Sequence, residues 1–361
     1  MPSPIPFATI EELADYEALI DVRSPAEFSV DHIPGAANFP VLSNEERARV
    51  GAVYLNDSPF AARRIGAALV ARNIAQHLEH GFGSRGKNWK PLVYCWRGGQ
   101  RSAAMVLVLK QVGWAARQLR GGYKSFRKKV IADLAQLPTR YRFVVLHGPT
   151  GSGKTALLEA LQASGGQVLD LEQFARHKGS VLGARPTPSE AIDSQPSQKK
   201  FETQIWQALR GFDPRQPVYV ESESRRIGRL TIPTTLFETL TASACVRLVA
   251  PLEARVAHLL ERYEELYHQP DWLRRRLEFF VPLHGRKRVE RWQQLLDSGQ
   301  WGELARQIVC THYDPAYRRG GDGLYRQART AQVLEFALLS QDAMIRAAQG
   351  LLGSSGKRHA E

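Results

Sequence analysis

The sequence predicts an α/β protein of two domains, each a parallel sheet covered by helices, the second a phosphate-loop domain with additional helices. Three observations predict it. Residues 1–135 alternate short apolar runs with helix-forming stretches, a pattern that builds parallel sheets. Pro138-Thr139 then punctuates the chain, dividing it into expected domains 1–137 and 138–361. The second domain opens with an apolar run, a glycine loop and a helix in immediate succession. A chain of 361 residues is long enough for two separate cores.

In the first domain, Ala18-Leu-Ile-Asp-Val22 and Ala36–Phe39 read as strands. Glu45–Leu55 and Ser58–Glu79 read as helices, and residues 81–87 as a loop. Pro91-Leu-Val-Tyr-Cys95 is a strand that ends in a glycine turn, followed by helix Arg101–Val112 and strand Ala115–Leu119. Gly121-Gly122 breaks the chain before helix Tyr123–Leu137. In the second domain, Arg142–His147, Gln167–Leu171, Pro217–Glu221 and Ala244–Val249 read as strands. Residues 179–200 read as a loop, Phe201–Leu209 as a helix, and the chain from Pro251 onward as helical. The residues from Gly350 onward read as frayed.

Hydrophobic content of 43% and charged content of 24% describe a globular chain and exclude a disordered one. A net charge of +13 favours a polyanionic partner, with tRNA the first choice. Three cysteines, at 95, 245 and 310, do not make a disulfide framework and suit a reducing, cytoplasmic compartment. No basic segment followed by an apolar stretch opens the chain, so no signal peptide is expected. No run of eighteen apolar residues is present, so no membrane span is expected.

Gly148-Pro-Thr150-Gly151-Ser152-Gly153-Lys154-Thr155 fits G-x-x-x-x-G-K-[ST] in its required strand–loop–helix setting. Glycines let backbone N–H groups turn toward phosphate oxygens, and the helix N-terminus adds positive potential. Lys154 would reach a terminal phosphate, and the Thr155 hydroxyl would hold Mg²⁺. Any di- or triphosphate head fits such a loop. Glu221, with Glu223 beside it, ends an apolar strand where an acid can hold a metal through water or polarise a water. Asp170 is the other candidate base or ligand. No direct protein cluster for a metal is expected, and no prosthetic group. Arg225, Arg226 and Arg229 are candidate RNA or phosphate contacts. Arg274–Arg276 and Arg286–Arg288, with Trp272, Phe279, Phe280 and Trp292 among them, read equally as an RNA face or as a helical bundle with a basic exterior. His147 reads as a packed residue, Cys245 as core and His312-Tyr313-Asp314 as a structural turn.

The other candidate centre is Cys95-Trp96-Arg97-Gly98-Gly99-Gln100-Arg101-Ser102. It sets a thiol where a strand meets a helix N-terminus, and Arg97 and Arg101 would help stabilise the thiolate. Gly98 and Gly99 allow a curled loop whose N–H groups face an anion. Between His80 and Ala132 there are twelve Lys or Arg and no acid, so the surroundings are electropositive. Cys95, together with Asp21-Val-Arg-Ser-Pro-Ala-Glu-Phe28 and Asp31-His-Ile-Pro-Gly-Ala-Ala-Asn38, resembles the rhodanese family over about residues 10–130. The resemblance implies a compact domain whose cysteine carries sulfur or selenium. Many rhodaneses have an arginine five residues after the cysteine, whereas Arg101 comes six after, the C-x5-R spacing of cysteine-dependent phosphatases. A wider loop suits a phosphate-sized donor such as selenophosphate, bound by Trp96, Gly98, Gly99 and Gln100.

A rhodanese-like domain joined to a phosphate-loop domain is a rare pairing. With Leu119-Arg-Gly-Gly-Tyr-Lys124, Gln195-Pro-Ser-Gln198 and Val220–Gly228, the chain resembles the tRNA 2-selenouridine synthase family over nearly its whole length. The resemblance implies a transferase that converts wobble 2-thiouridine in tRNA to 2-selenouridine. It implies geranyl diphosphate and selenophosphate as substrates, an S-geranyl intermediate, and a protein that supplies selenophosphate. Two alternatives remain: an ATP-dependent tRNA sulfurtransferase, or a C-x5-R phosphatase fused to a P-loop module.

Overall fold

The computed structural model describes residues 5–179, 182 and 195–357, so most of the expected 179–200 loop lies outside the described residues. The chain divides into two compact units, Met1–Asp133 and Leu134–Glu361.

The first unit runs β1 (Phe7–Ala8), β2 (Ala18–Asp21), α1 (Pro25–Val30), β3 (Ala36–Asn38), α2 (Asn44–Asn56), α3 (Pro59–His80), β4 (Pro91–Tyr94), α4 (Gln100–Val112), β5 (Arg117–Leu119) and α5 (Gly122–Leu134). Its strands form one sheet in the order β1-β5-β4-β2-β3, parallel throughout. The middle strand β4 is buried along its length, as its unbroken apolar run requires. Helix starts are written locally. Ser24 and Glu27 form a capping box with Pro25 at the first turn of α1, and Ser43 and Glu46 do the same for α2. Left-handed Gly113 ends α4. Val93, Met105, Val106 and Leu109 centre the core between β4 and α4.

The second unit runs β6 (Phe143–His147), α6 (Lys154–Ala163), β7 (Gln167–Leu169), α7 (Leu171–Ala175), α8 (Gln198–Gly211), β8 (Val218–Glu221), β9 (Arg226–Ile227), β10 (Leu230–Thr231), α9 (Thr234–Ala242), β11 (Ala244–Val249) and α10 (Leu252–Arg262). It continues with α11 (Pro270–Leu277), α12 (Val281–His284), α13 (Arg286–Asp297), α14 (Trp301–Ile308), α15 (Asp314–Leu324), β12 (Gln332–Glu335) and α16 (Gln341–Lys357). The main sheet is again parallel, in the order β12-β11-β6-β8-β7, with β6 central. β9 and β10 form a separate antiparallel pair. Helices α11, α13 and α14 enclose a second core around Leu277, Phe280 and Trp292.

Several expectations are corrected here. Gly350–Lys357 are not frayed: they continue α16, because Leu351 and Leu352 pack on the sheet core. The strand expected through Leu171 stops at Leu169, since Asp170 caps α7. Phe280 and Trp292 are fully buried and offer no RNA face. Phe279 is exposed beneath the Arg276 guanidinium, 4.9 Å from its ring centre. His312 and Tyr313 belong to a π-helical stretch, Val309–Tyr313, that joins α14 to α15 without a turn. Among the described residues no helix is long and apolar enough to cross a membrane.

Candidate functional site

Each unit carries one site beyond the carboxyl end of its central strand, where open parallel sheets bind ligands. In the first unit β4 delivers Cys95, buried to 3% exposure, to the loop before α4. The Gly99 N–H donates to Sγ at 3.2 Å and the Ser102 hydroxyl donates to it at 3.1 Å. Gln118, on neighbouring β5, donates to the Ser102 oxygen at 2.7 Å and to the Gly99 carbonyl at 3.0 Å. Burial is the largest influence on the thiol and pushes its pKa up. The Ser102 hydroxyl and amide, the Gly99 amide and the Arg101 charge together outweigh it, and the thiol lies below its ordinary value.

The loop needs its glycines. At Gly98 φ is +69°, and a Cβ there would lie 2.7 Å from the Leu119 carbonyl oxygen. At Gly122 φ is +57°, and a Cβ would lie 2.3 Å from the Cys95 carbonyl oxygen. That closeness lets Tyr123 and Lys124 amides bind the Cys95 and Trp96 carbonyls at 2.8 and 3.0 Å. Gly121-Gly122 therefore closes the cysteine loop as well as breaking the chain. Beneath it, buried Arg23 pairs with Asp21 at 2.6 Å and lies 4.1 Å from the Tyr123 ring centre. Tyr123 in turn donates to Asp31 at 2.7 Å. Arg97 is exposed. Arg101 is engaged by Glu27 at 2.8 Å and acts on Cys95 through its charge. Glu27, which also caps α1, and Gln118 were not legible as site residues.

In the second unit β6 leads into Gly148–Thr155 and α6. Gly151 and Gly153 adopt φ of +80° and +87°. A Cβ at Gly148 would lie 2.6 Å from the Ser152 hydroxyl and 2.8 Å from the Leu248 carbonyl. Lys154 folds back on its own loop, donating to the Gly148 and Pro149 carbonyls at 2.9 and 3.4 Å. Arg255 of α10 fixes the loop from outside. Its guanidinium donates twice to the Thr150 carbonyl, at 2.9 and 2.7 Å, and pairs with Asp314 at 2.6 Å. Arg255 carries no sequence signal, and Asp314 reads only as part of a turn, because their role depends on α10 and α15 meeting the loop.

The loop forms one wall of a cavity of about 500 Å³. β8 pairs with β6 in the register Leu146↔Glu221, which brings Glu221 beside the loop. Glu172 of α7 joins it, and carboxylate oxygens of Glu172, Glu221 and Glu223 lie within 4.8 Å of one another. The sequence reading did not anticipate this group of three acids, which could hold a cation. Burial pushes all three carboxyls up. For Glu172 the charges of Glu221 and Glu223 add to it, and for Glu223 the charge of Glu221 does, carrying Glu223 to about 8. Lys154 opposes the rise in all three, and a Thr155 hydrogen bond opposes it in Glu221. Tyr325 holds the Glu223 backbone, accepting from its N–H and donating to its carbonyl, both at 2.7 Å. Asp170 lines the cavity, but its carboxylate caps α7 by accepting from the Gln173 N–H at 2.8 Å. Oxygen donors are what a hard cation takes, and the buried Glu221 Oε1 has no hydrogen-bond partner. Thr155 and this acid set therefore fit Mg²⁺.

The remaining candidates are distributed differently. Arg229 holds the chain before α8, donating to the Gln195 and Pro196 carbonyls at 2.5 and 3.2 Å. Gln195 binds the Ala175 and Ile227 carbonyls, and Gln198 binds both backbone groups of Thr231. The Gln195–Gln198 motif is thus a structural tie. Arg225 is exposed and donates to Thr234 at 3.1 Å, and Arg226 is exposed. His147 is buried against the rings of Tyr317 and Tyr325. Cys245 is buried, and burial pushes its thiol up to about 11.

Comparison with known proteins agrees with the two-domain plan. Residues 8–129 match the model of the rhodanese-like domain, and residues 141–276 match that of the tRNA 2-selenouridine synthase AAA domain. The chain is 36% identical to the tRNA 2-selenouridine synthase of Nitrosomonas europaea over 68% of its own length and 63% of the relative. It is 37% identical to that of Bdellovibrio bacteriovorus over 68% of its own length and 64% of the relative. The match thus spans somewhat less than two thirds of those two proteins. The tRNA 2-selenouridine synthase of Hydrogenovibrio crunogenus is 33% identical over 83% of this chain and 88% of that relative. On this agreement of both domains and of near full-length similarity, the chain belongs to the tRNA 2-selenouridine synthase family.

Proposed function

We propose that the chain converts 2-thiouridine at the tRNA wobble position to 2-selenouridine in two steps. In the first, the sulfur attacks C1 of geranyl diphosphate. The C–O bond breaks, pyrophosphate leaves, and the uridine N3 proton passes to a base. Backbone amides of Gly151–Thr155 and the Lys154 ammonium would take the charge that develops on pyrophosphate, the electrostatic task of such a cradle. Lys154 needs only to leave its own loop carbonyls. Mg²⁺ held by Thr155 and Glu221 would neutralise further diphosphate charge.

In the second step selenophosphate and water convert the S-geranyl base to 2-selenouridine, releasing geranyl thiol and phosphate. S-geranylation has by then made the sulfur a better leaving group. The Cys95 thiolate would attack the phosphorus of selenophosphate, breaking the P–Se bond. The freed hydrogen selenide would displace geranyl thiol at C2, water would return the S-phosphocysteine to thiol and phosphate, and Arg97 and Arg101 would clamp the phosphoryl group. The chain's +13 charge suits tRNA as the shared substrate.

One observation carries this reading. A phosphate-loop motif and a thiol held below its ordinary pKa, with Ser102 donating to it, occur in one chain. Titration calorimetry of the full chain with Mg²⁺ tests the first step. Geranyl diphosphate should bind more tightly than ATP. Tight ATP binding with none for geranyl diphosphate would replace this reading with an ATP-dependent sulfurtransferase.

A further inference from the structure

A second cavity adjoins the phosphate-loop cavity, and the two steps above leave it unexplained. It has a volume of about 100 Å³, and its walls include Leu260, Leu266, Leu304, Ile308 and Trp301. Both cavities are bordered by Thr150, Leu259, Tyr263 and Tyr313. The contact is close: a Cβ at Gly151 would lie 2.9 Å from Leu259 Cγ. One helix makes the junction, because α10 offers Arg255 to the loop and Leu259 and Leu260 to the apolar cavity. A single ligand with an anionic head and an apolar remainder therefore suits both.

The chemistry of the walls selects the remainder. The Tyr267 hydroxyl is committed to the Leu260 carbonyl at 2.7 Å, so Tyr267 presents its ring, which lies tilted against Trp301 with ring centres 4.7 Å apart. A nucleobase seated there would bury hydrogen-bonding edges in an apolar wall, which disfavours it. A branched hydrocarbon would lose nothing. An apolar cavity of roughly 150 Å³ holds a six-carbon ring, so this one suits about one five-carbon unit and not three.

We propose that this pocket seats the isoprenoid chain of the diphosphate bound at Gly148–Thr155, and that Ala305 and Trp301 set the length of chain it takes. The proposal rests on the prenyl-diphosphate reading above. Ala305 lines the pocket with the smallest side chain in its apolar wall, and Trp301 with the largest.

The test is calorimetry on the full chain with Mg²⁺ and three ligands: pyrophosphate, geranyl diphosphate and farnesyl diphosphate. Each buried methylene raises affinity about fourfold. With one five-carbon unit buried, geranyl diphosphate should then bind roughly 1,000-fold more tightly than pyrophosphate, with no further gain for farnesyl diphosphate. Ala305→Trp should bring the pyrophosphate-to-geranyl ratio of dissociation constants near one. Trp301→Ala should raise the preference for farnesyl over geranyl diphosphate by tenfold or more, and it decides the matter if Ala305→Trp does not fold. Equal binding of pyrophosphate and geranyl diphosphate by the native chain would overturn the prenyl-diphosphate reading itself. A native preference for geranyl diphosphate that survives unchanged in the folded variants would overturn only the assignment of this pocket.

Discussion

Replacing Ser102 by Ala tests the Cys95 site most sharply, because Ser102 touches the sulfur and nothing else in the site takes its place. Its hydroxyl donates to Sγ at 3.1 Å, and Gln118 donates to the same oxygen, leaving the Ser102 proton to the sulfur or the Gly99 carbonyl. A hydrogen bond to a charged acceptor contributes about 1.5–3 kcal/mol. At any pH below the thiol's titration, losing it should cut the thiolate population roughly 10- to 100-fold. The assay is the rate of Cys95 alkylation by iodoacetamide against pH, with Cys310 replaced by Ser to remove the exposed thiol. The sign is fixed. A lowered pKa keeps native Cys95 reactive toward lower pH, and Ser102→Ala should move the whole curve to higher pH. Ser102→Thr, which keeps the hydroxyl, should restore most of the rate. Rates for Ser102→Ala within twofold of native across the range would refute the account of how this thiolate is stabilised.

Three further outcomes are expected. Arg255→Met removes the partner of half-buried Asp314 and two bonds to the phosphate loop, and should cost about 1.5–3 kcal/mol in urea unfolding, as loss of charge-assisted hydrogen bonds does. A loss under ~1 kcal/mol would mean that the pair does not hold the loop. Lys154→Ala should weaken pyrophosphate binding at least ~10-fold with a smaller effect on Tm, since among the described residues Lys154 hydrogen-bonds to carbonyls of its own loop. A large fall in Tm would instead make it a structural residue. Glu223 is pushed up to about 8, so between the ordinary carboxylate range and that pH the folded chain binds more protons than the unfolded one. Stability should fall as pH rises through this window, and Glu223→Gln should flatten the slope. A slope unchanged in the variant would place the titration elsewhere.

Much of the fold was legible because its signals are local. Pro91–Tyr94 is a continuous apolar run, and it is the buried middle strand. The glycine loop at 148–155 stands between the central strand and the helix where its spacing placed it. What could not be read depends on contacts between distant segments. β12 has an exposed face and no apolar pattern of its own, and only its pairing with β11 makes it a strand. Glu172 joins Glu221 and Glu223 because α7 and β8 converge, across 49 residues of sequence from Glu172 to Glu221. Asp170, the acid nearest in sequence, is occupied in capping. For Trp292 and Phe280 the sequence left two readings open, an RNA face or a basic-surfaced bundle, and the inward-facing rings on amphipathic helices favour the bundle. Ser102 stood in plain view within the cysteine motif, yet its role depends on the turn that carries its hydroxyl back to Sγ.

In the proposed sequence geranylation precedes selenation, with Gly148–Thr155 serving the first step and Cys95 the second. Mass spectrometry of nucleosides from 2-thiouridine-bearing tRNA tests it directly. Incubation with geranyl diphosphate alone should yield S-geranyl-2-thiouridine, and added selenophosphate should convert it to 2-selenouridine. Cys95→Ala should stop at the geranylated base. Formation of 2-selenouridine from selenophosphate without geranyl diphosphate, or at a normal rate by Cys95→Ala, would contradict the account.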